Sequence, residues 1–107
     1  VDTSILTAVA NDFGFENVFS RQVSALGKKG DILLAISTSG NSPNILNAVK
    51  AAKEKQMKII GLSGKTGGKL SKECDVCIVV PSDDTPNIQE AHCAILHVIC
   101  EIVEESL

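Results

Sequence analysis

Three short apolar runs, each closed by polar residues or proline, set the fold class of this chain. They are residues 31–37 (DILLAIS), 58–62 (KIIGL) and 75–80 (DVCIVV). Continuous apolar runs of this length suit strands buried on both faces. Between and around them the period changes to that of a helix. Over residues 42–56, Ile45, Ala48, Val49 and Ala52 recur at helical spacing. Ser42 is a good N-cap there, and Pro43 fits the first helical position. Residues 67–73 allow one or two turns, and residues 86–105 read as a long final helix. Upstream, residues 16–26 place Val18, Phe19, Val23 and Leu26 on one helical face, ended by Gly27 and Gly30. Alternating strands and helices predict an α/β fold, a parallel sheet wound by right-handed crossovers with helices on both faces. Three strands make a thin parallel sheet that needs cover. The expectation is therefore a single domain over residues 1–107 whose N-terminal strand and helices are missing or supplied by another chain.

The 107 residues suffice for one core, and the 44% hydrophobic and 21% charged content is that of a soluble globular protein. A net charge of −3, a pI near 5.3 and the absence of Trp and Tyr argue against nucleic-acid binding. No apolar run is long enough to span a bilayer and no basic-then-apolar leader opens the chain, so a cytoplasmic location without membrane contact is expected. The chain opens on Val1, in what reads as the middle of a fold, as a truncated or processed protein would. Four cysteines include one C-x-x-C, Cys74 and Cys77. A zinc ribbon needs a second such pair, so four reduced thiols are expected.

The segment Ser37-Thr38-Ser39-Gly40-Asn41-Ser42 joins the C-terminal end of a predicted buried strand to a helix N-terminus. Ligands bind at that edge of open α/β sheets. Free helix N–H groups and the helix dipole favour an anion, Gly40 permits close backbone approach, and the hydroxyls can donate to phosphate or sugar oxygens. No G-K-[ST] occurs here, which excludes a nucleoside-triphosphate P-loop. With no Lys or Arg in the loop, hydroxyls and backbone amides are expected to hold the anion. Serine, glycine and asparagine are also ordinary turn and cap residues, so residue types alone do not separate a phosphate site from a capped turn.

The string GDILLAISTSGNSPNILNAVKAAKEKQMKIIGLSGKTGG resembles the core of the sugar isomerase (SIS) domain. Asn11-Asp12-Phe13-Gly14-Phe15 and Ile88-Gln89-Glu90, with His92 two further on, resemble phosphoheptose isomerases in particular. The resemblance implies a flavodoxin-like three-layer sandwich and a homotetramer with a sugar-phosphate substrate. The implied reaction interconverts D-sedoheptulose 7-phosphate and D-glycero-D-manno-heptose 7-phosphate, for lipopolysaccharide or capsule heptoses. It also implies substrate contacts from Asn11, Asp12, Ser37, Thr38, Ser39, Ser42 and Gln89. His97 is implied as catalytic, and Gln89 and His97 as contributors to a site for one zinc ion whose other ligands, with a partner Glu, lie outside this chain. A non-catalytic SIS module, either a sugar-phosphate sensor or an adaptor for a replication initiator, is the alternative.

At 100° per residue, Ile88, Ala91, His92, Ile95, Leu96, Ile99, Ile102 and Val103 share one broad face of the final helix. His92 sits within that stripe and reads as a satisfied, partly buried histidine. His97 lies roughly opposite, where periodicity alone reads a surface residue; the resemblance makes it functional. Gln89 and His97 are separated by about 12 Å of helical rise.

Overall fold

The computed structural model describes residues 14–107. After a 3₁₀ turn at Phe15–Asn17, the chain forms α1 (Val18–Leu26), β1 (Ile32–Ser37), α2 (Pro43–Glu54), β2 (Lys58–Gly64), α3 (Leu70–Glu73), β3 (Val76–Val80) and α4 (Thr85–Ser106). The three strands form one parallel sheet in the order β1-β2-β3. Sequential parallel neighbours require a crossover after each strand, supplied by α2 and then α3. The α/β reading of the sequence holds, with boundaries moved by one to three residues.

Parallel register puts Ile36 beside Leu62, and Leu62 beside Ile78. Side chains alternate across the sheet, so each face has its own set. On one face Leu33, Ala35 and Ile59 pack with Val49 and Ala52 of α2, Val23 of α1, and Leu70 and Cys74. This is the core, and α2's burial of Ala48, Val49, Ala51 and Ala52 explains its run of small residues: the helix lies close to the sheet. Asp75 ties the entry of β3 to β2, its carboxylate accepting from the Ile59 N–H at 2.8 Å.

Among the described residues, the opposite face is covered only by the start of α4. Ile88 is fully buried against Gly64, where any Cβ would lie within 2.5 Å of the isoleucine. One turn later His92, 3% exposed, donates from Nε2 to the Ser63 carbonyl at 2.9 Å. The predicted apolar stripe continues along α4, but Ile102 and Val103 are more than half exposed, as is Val98. Periodicity located the stripe; the described residues supply nothing to bury its far half. Ile32, Ile36, Val76 and Ile78 on the outer strands are likewise exposed. Beside the edge of β1 that no described strand pairs, an apolar groove of about 690 Å³ runs between Leu26 and Phe19 of α1 and Ile45 of α2. No helix among the described residues is long and apolar enough to cross a membrane.

Candidate functional site

At the C-terminal edge of β1 the chain turns sharply into α2. The Gly40 N–H returns to the Ser37 carbonyl at 3.1 Å, and Gly40 takes a left-handed φ of 73°. Ser37 is buried, and its hydroxyl sits at the centre of the turn. It accepts from the Gly40 N–H at 3.1 Å and shares a 2.8 Å hydrogen bond with Ser42 Oγ. Ser39 Oγ accepts from the Asn41 N–H at 3.1 Å. The Thr38 hydroxyl, half-buried, has no partner among the described residues.

One expectation needs correction. Ser42 does occupy the N-cap position of α2, but its side chain makes no cap hydrogen bond. Its hydroxyl turns to Ser37 instead. Pro43 has no N–H and the Ile45 N–H is taken by Asn44 Oδ1 at 2.9 Å, so in the first turn of α2 it is the Asn44 N–H that has no side-chain acceptor among the described residues, beside the loop's own hydroxyls. That is an arrangement suited to an anion.

The glycine-rich stretch after β2 supports this loop from behind. Gly40 packs so tightly on Gly67 that a Cβ would fall 2.0 Å from the Gly67 carbonyl oxygen; one on Gly68 would fall 2.6 Å from the Ser39 carbonyl. The Leu70 N–H donates to the Gly40 carbonyl at 2.9 Å, and the Lys69 N–H to Asn41 Oδ1 at 3.0 Å. Nothing in the sequence motif assigned this buttressing role to Gly67 and Gly68. Its only trace there is two adjacent glycines at the end of a strand.

Ser37, Thr38, Ser39 and Ser42 line an open depression of about 500 Å³. Ile36, Phe19 and Ile45 give it an apolar side. Asn44 of α2, Thr85, the first residue of α4, and Lys65, from the turn after β2, complete the lining. The four predicted hydroxyl residues are therefore brought together. Lys65 is outside the sequence expectation, which considered the loop alone; the fold brings it to the lining from the turn after β2.

Other predicted residues lie apart. Gln89 and His97 are both exposed on α4, and neither lines the depression. Asn11 and Asp12 fall outside the described residues. His92 is the satisfied buried histidine that the helical pattern indicated. No cluster of three or more His, Cys, Asp or Glu side chains able to hold a metal occurs among the described residues. The four cysteines are free. Cys74 and Cys77 nonetheless lie side by side over Gly61, where a Cβ would meet both sulfurs. Burial first, and then the neighbouring Cys77, push the Cys74 thiol up to about 11.

A family model described as SIS domain matches residues 2–64. This chain belongs to the SIS domain family. The SIS assignment accounts for the serine loop at the head of α2 and for the sheet that carries it. Among curated relatives, a phosphoheptose isomerase of Rhodospirillum rubrum is 57% identical over 99% of this chain and 56% of its own length. Phosphoheptose isomerase 2 of Campylobacter jejuni is 60% identical, with 99% and 53% covered. The structure of phosphoheptose isomerase GmhA from Neisseria gonorrhoeae superposes with a TM-score of 0.95 at 49% identity, covering 98% of this chain and 59% of that one. A phosphoheptose isomerase from Francisella tularensis gives 0.94 at 47%, with 97% and 56% covered. The chain spans about half the length of the curated relatives it matches.

Proposed function

We propose that this SIS domain is the sugar-phosphate-binding part of a phosphoheptose isomerase, interconverting D-sedoheptulose 7-phosphate and D-glycero-D-manno-heptose 7-phosphate. The observation that carries the reading is the serine loop, with its four hydroxyl side chains around one depression at a helix N-terminus. The similarity to phosphoheptose isomerases along 99% of the chain chooses the substrate class. In this reading Thr38, Ser39 and the Asn44 N–H at the head of α2 hold the phosphate. Ser37, already bonded to Gly40 and Ser42, fixes the shape of the loop.

The reaction moves a proton between C1 and C2 through an enediol, which asks for a base and an acid on a held substrate. His97 is the proposed group of this chain, because imidazole exchanges protons near neutral pH. It is exposed on α4 and away from the serine loop, so it would act in a site completed from beyond the described residues. A homotetramer is proposed on the same ground, together with the unburied Val98, Ile102 and Val103 on α4. A cytoplasmic location is part of the reading. Zinc belongs to it only as a site completed from elsewhere. Gln89 and His97 are the candidate contributors here, and no donor cluster exists among the described residues, so no step is assigned to the metal.

The test is kinetic, in the complete protein. The Ser37→Ala/Ser39→Ala double variant should raise KM for sedoheptulose 7-phosphate at least several-fold. Unchanged kinetics would remove the loop from the site. Phosphate binding with no turnover in the parent protein would point to a sensor or adaptor instead.

A further inference from the structure

We propose that Lys65 is the charge-selecting residue of the serine-loop site, its ammonium supplying the countercharge for a doubly negative phosphate monoester. The inference rests on the reading of that loop as a phosphate site, and goes beyond it in naming what discriminates phosphorylated from neutral sugars. A phosphate monoester carries about −1.5 to −2 charges at neutral pH. The loop itself offers no formal positive charge. Its helix terminus contributes the equivalent of about half a charge. Part of its hydroxyl capacity is already used internally, since Ser37 bonds Ser42 and Gly40 while Ser39 bonds Asn41. A cation is the missing component, and Lys65 is the one ionisable side chain among the described residues that line the depression.

Two further observations fit this role. First, Lys65 makes no ion pair or side-chain hydrogen bond among the described residues. Lys53, by contrast, is paired with Glu73. Second, Lys65 is held in a conformation that favours glycine. It has φ 56° at the second position of a turn closed by the Gly67 N–H on the Gly64 carbonyl at 2.9 Å. Its own N–H is fixed on the Ser82 carbonyl at 3.0 Å. A side chain at a left-handed turn position is a local strain, of the kind that persists where surrounding structure compels it and that gathers at binding sites. The chain has glycines at Gly64, Gly67 and Gly68, yet carries a lysine here.

The experiment compares Lys65→Gly, Lys65→Asn and Lys65→Arg with the parent in the complete protein. It measures inorganic phosphate affinity by calorimetry, sedoheptulose 7-phosphate kinetics and thermal midpoints. Asn and Gly both accept a left-handed φ, so the two neutral variants keep the turn. Both should weaken phosphate affinity and raise KM by about 10- to 100-fold, the scale of one charge-assisted hydrogen bond, with kcat within about threefold. Lys65→Arg should keep most of the affinity. Lys65→Gly should melt no lower than the parent, because it relieves the strained position. In the parent, KM should rise with salt more steeply than in the neutral variants. Unchanged phosphate affinity and KM in both neutral variants, while Ser37→Ala/Ser39→Ala still raises KM, would overturn the role of Lys65 alone. No phosphate affinity in the parent would overturn the phosphate site, and this proposal with it.

Discussion

Individual residues in this domain are constrained for unequal reasons, and the glycines make the point measurable. Gly40 and Gly30 both have a left-handed φ, 73° and 89°. A Cβ at Gly30 meets nothing within 4 Å, whereas one at Gly40 would lie 2.0 Å from the Gly67 carbonyl oxygen. Gly30→Ala should therefore cost only the dihedral penalty, about 1–2 kcal/mol. Gly40→Ala adds an overlap with backbone that cannot rotate away, for a total of about 3 kcal/mol or more. Urea titration of the two variants checks this, and equal losses would mean that the close approach relaxes freely. The cysteines divide in the same way. Cys93 and Cys100 are exposed, while Cys74 is half-buried with its thiol raised from an ordinary value near 9 to about 11. Iodoacetamide at pH 7.5 should modify the two exposed cysteines first and Cys74 last, with the Cys74 rate climbing until the pH approaches 11. The sign for stability follows: the folded state holds this proton longer than the unfolded chain does. Its contribution is complete below pH 9 and declines between pH 9 and 11.

At the level of elements, α4 has a docked beginning and an uncovered end. Ile88 and His92 fasten its first turns to β2, through contact with Gly64 and the bond to the Ser63 carbonyl. His92→Ala removes a buried hydrogen bond and leaves a cavity, so a loss of about 2–3 kcal/mol is expected. His97→Ala, on the exposed face, should leave the melting temperature within a degree or two. In the proposed isomerase it should lower kcat by about two orders of magnitude. Thermal melts and turnover measured on both variants separate a structural histidine from a functional one. Much of this was legible in sequence. The runs around Leu33, Ile59 and Ile78 are strands, Pro43 opens α2, and the helical pattern alone separated His92 from His97. What could not be read were relations between elements. The strand β2 runs to Gly64 although Ser63 and Gly64 carry no apolar signal, because backbone pairing with Val79 and Val80 extends it. Lys65 lines the depression because β1 and β2 end side by side, with Ser37 opposite Ser63. No local pattern around Lys65 contains that information. Ser42 reads as a cap because capping is a local rule, whereas the folded turn brings its hydroxyl to Ser37, five residues back, instead.

The whole molecule presents an imbalance. Among the described residues, one face of the sheet is packed by α1, α2 and α3, while the other is covered only where α4 begins. Ile32 and Ile36 border a strand edge that no described strand pairs, and Val98, Ile102 and Val103 are exposed on α4. Unpaired strand edges beside apolar surface invite association. Residues 1–107 prepared alone should bind a hydrophobic dye strongly and elute as mixed oligomers, while the complete protein should bind little dye and give a discrete tetramer by light scattering. A monodisperse, dye-silent monomer of residues 1–107 would show that these surfaces are tolerated in water.

The meeting of Gly40 with Gly67 and Gly68 also has a consequence in time. The serine loop lies next to β1, but the wall it rests on is not made until the ribosome has passed residue 68. At about 5–20 residues per second, that is a wait of roughly one to six seconds. During it, β1 and α2 can form, yet the turn between them has no backing, and Gly40 is free to sample other shapes. The proposed anion site would thus be assembled by the arrival of a second loop rather than by the folding of the first. A nascent chain halted between these two segments would carry every hydroxyl of the site but not the wall that shapes it.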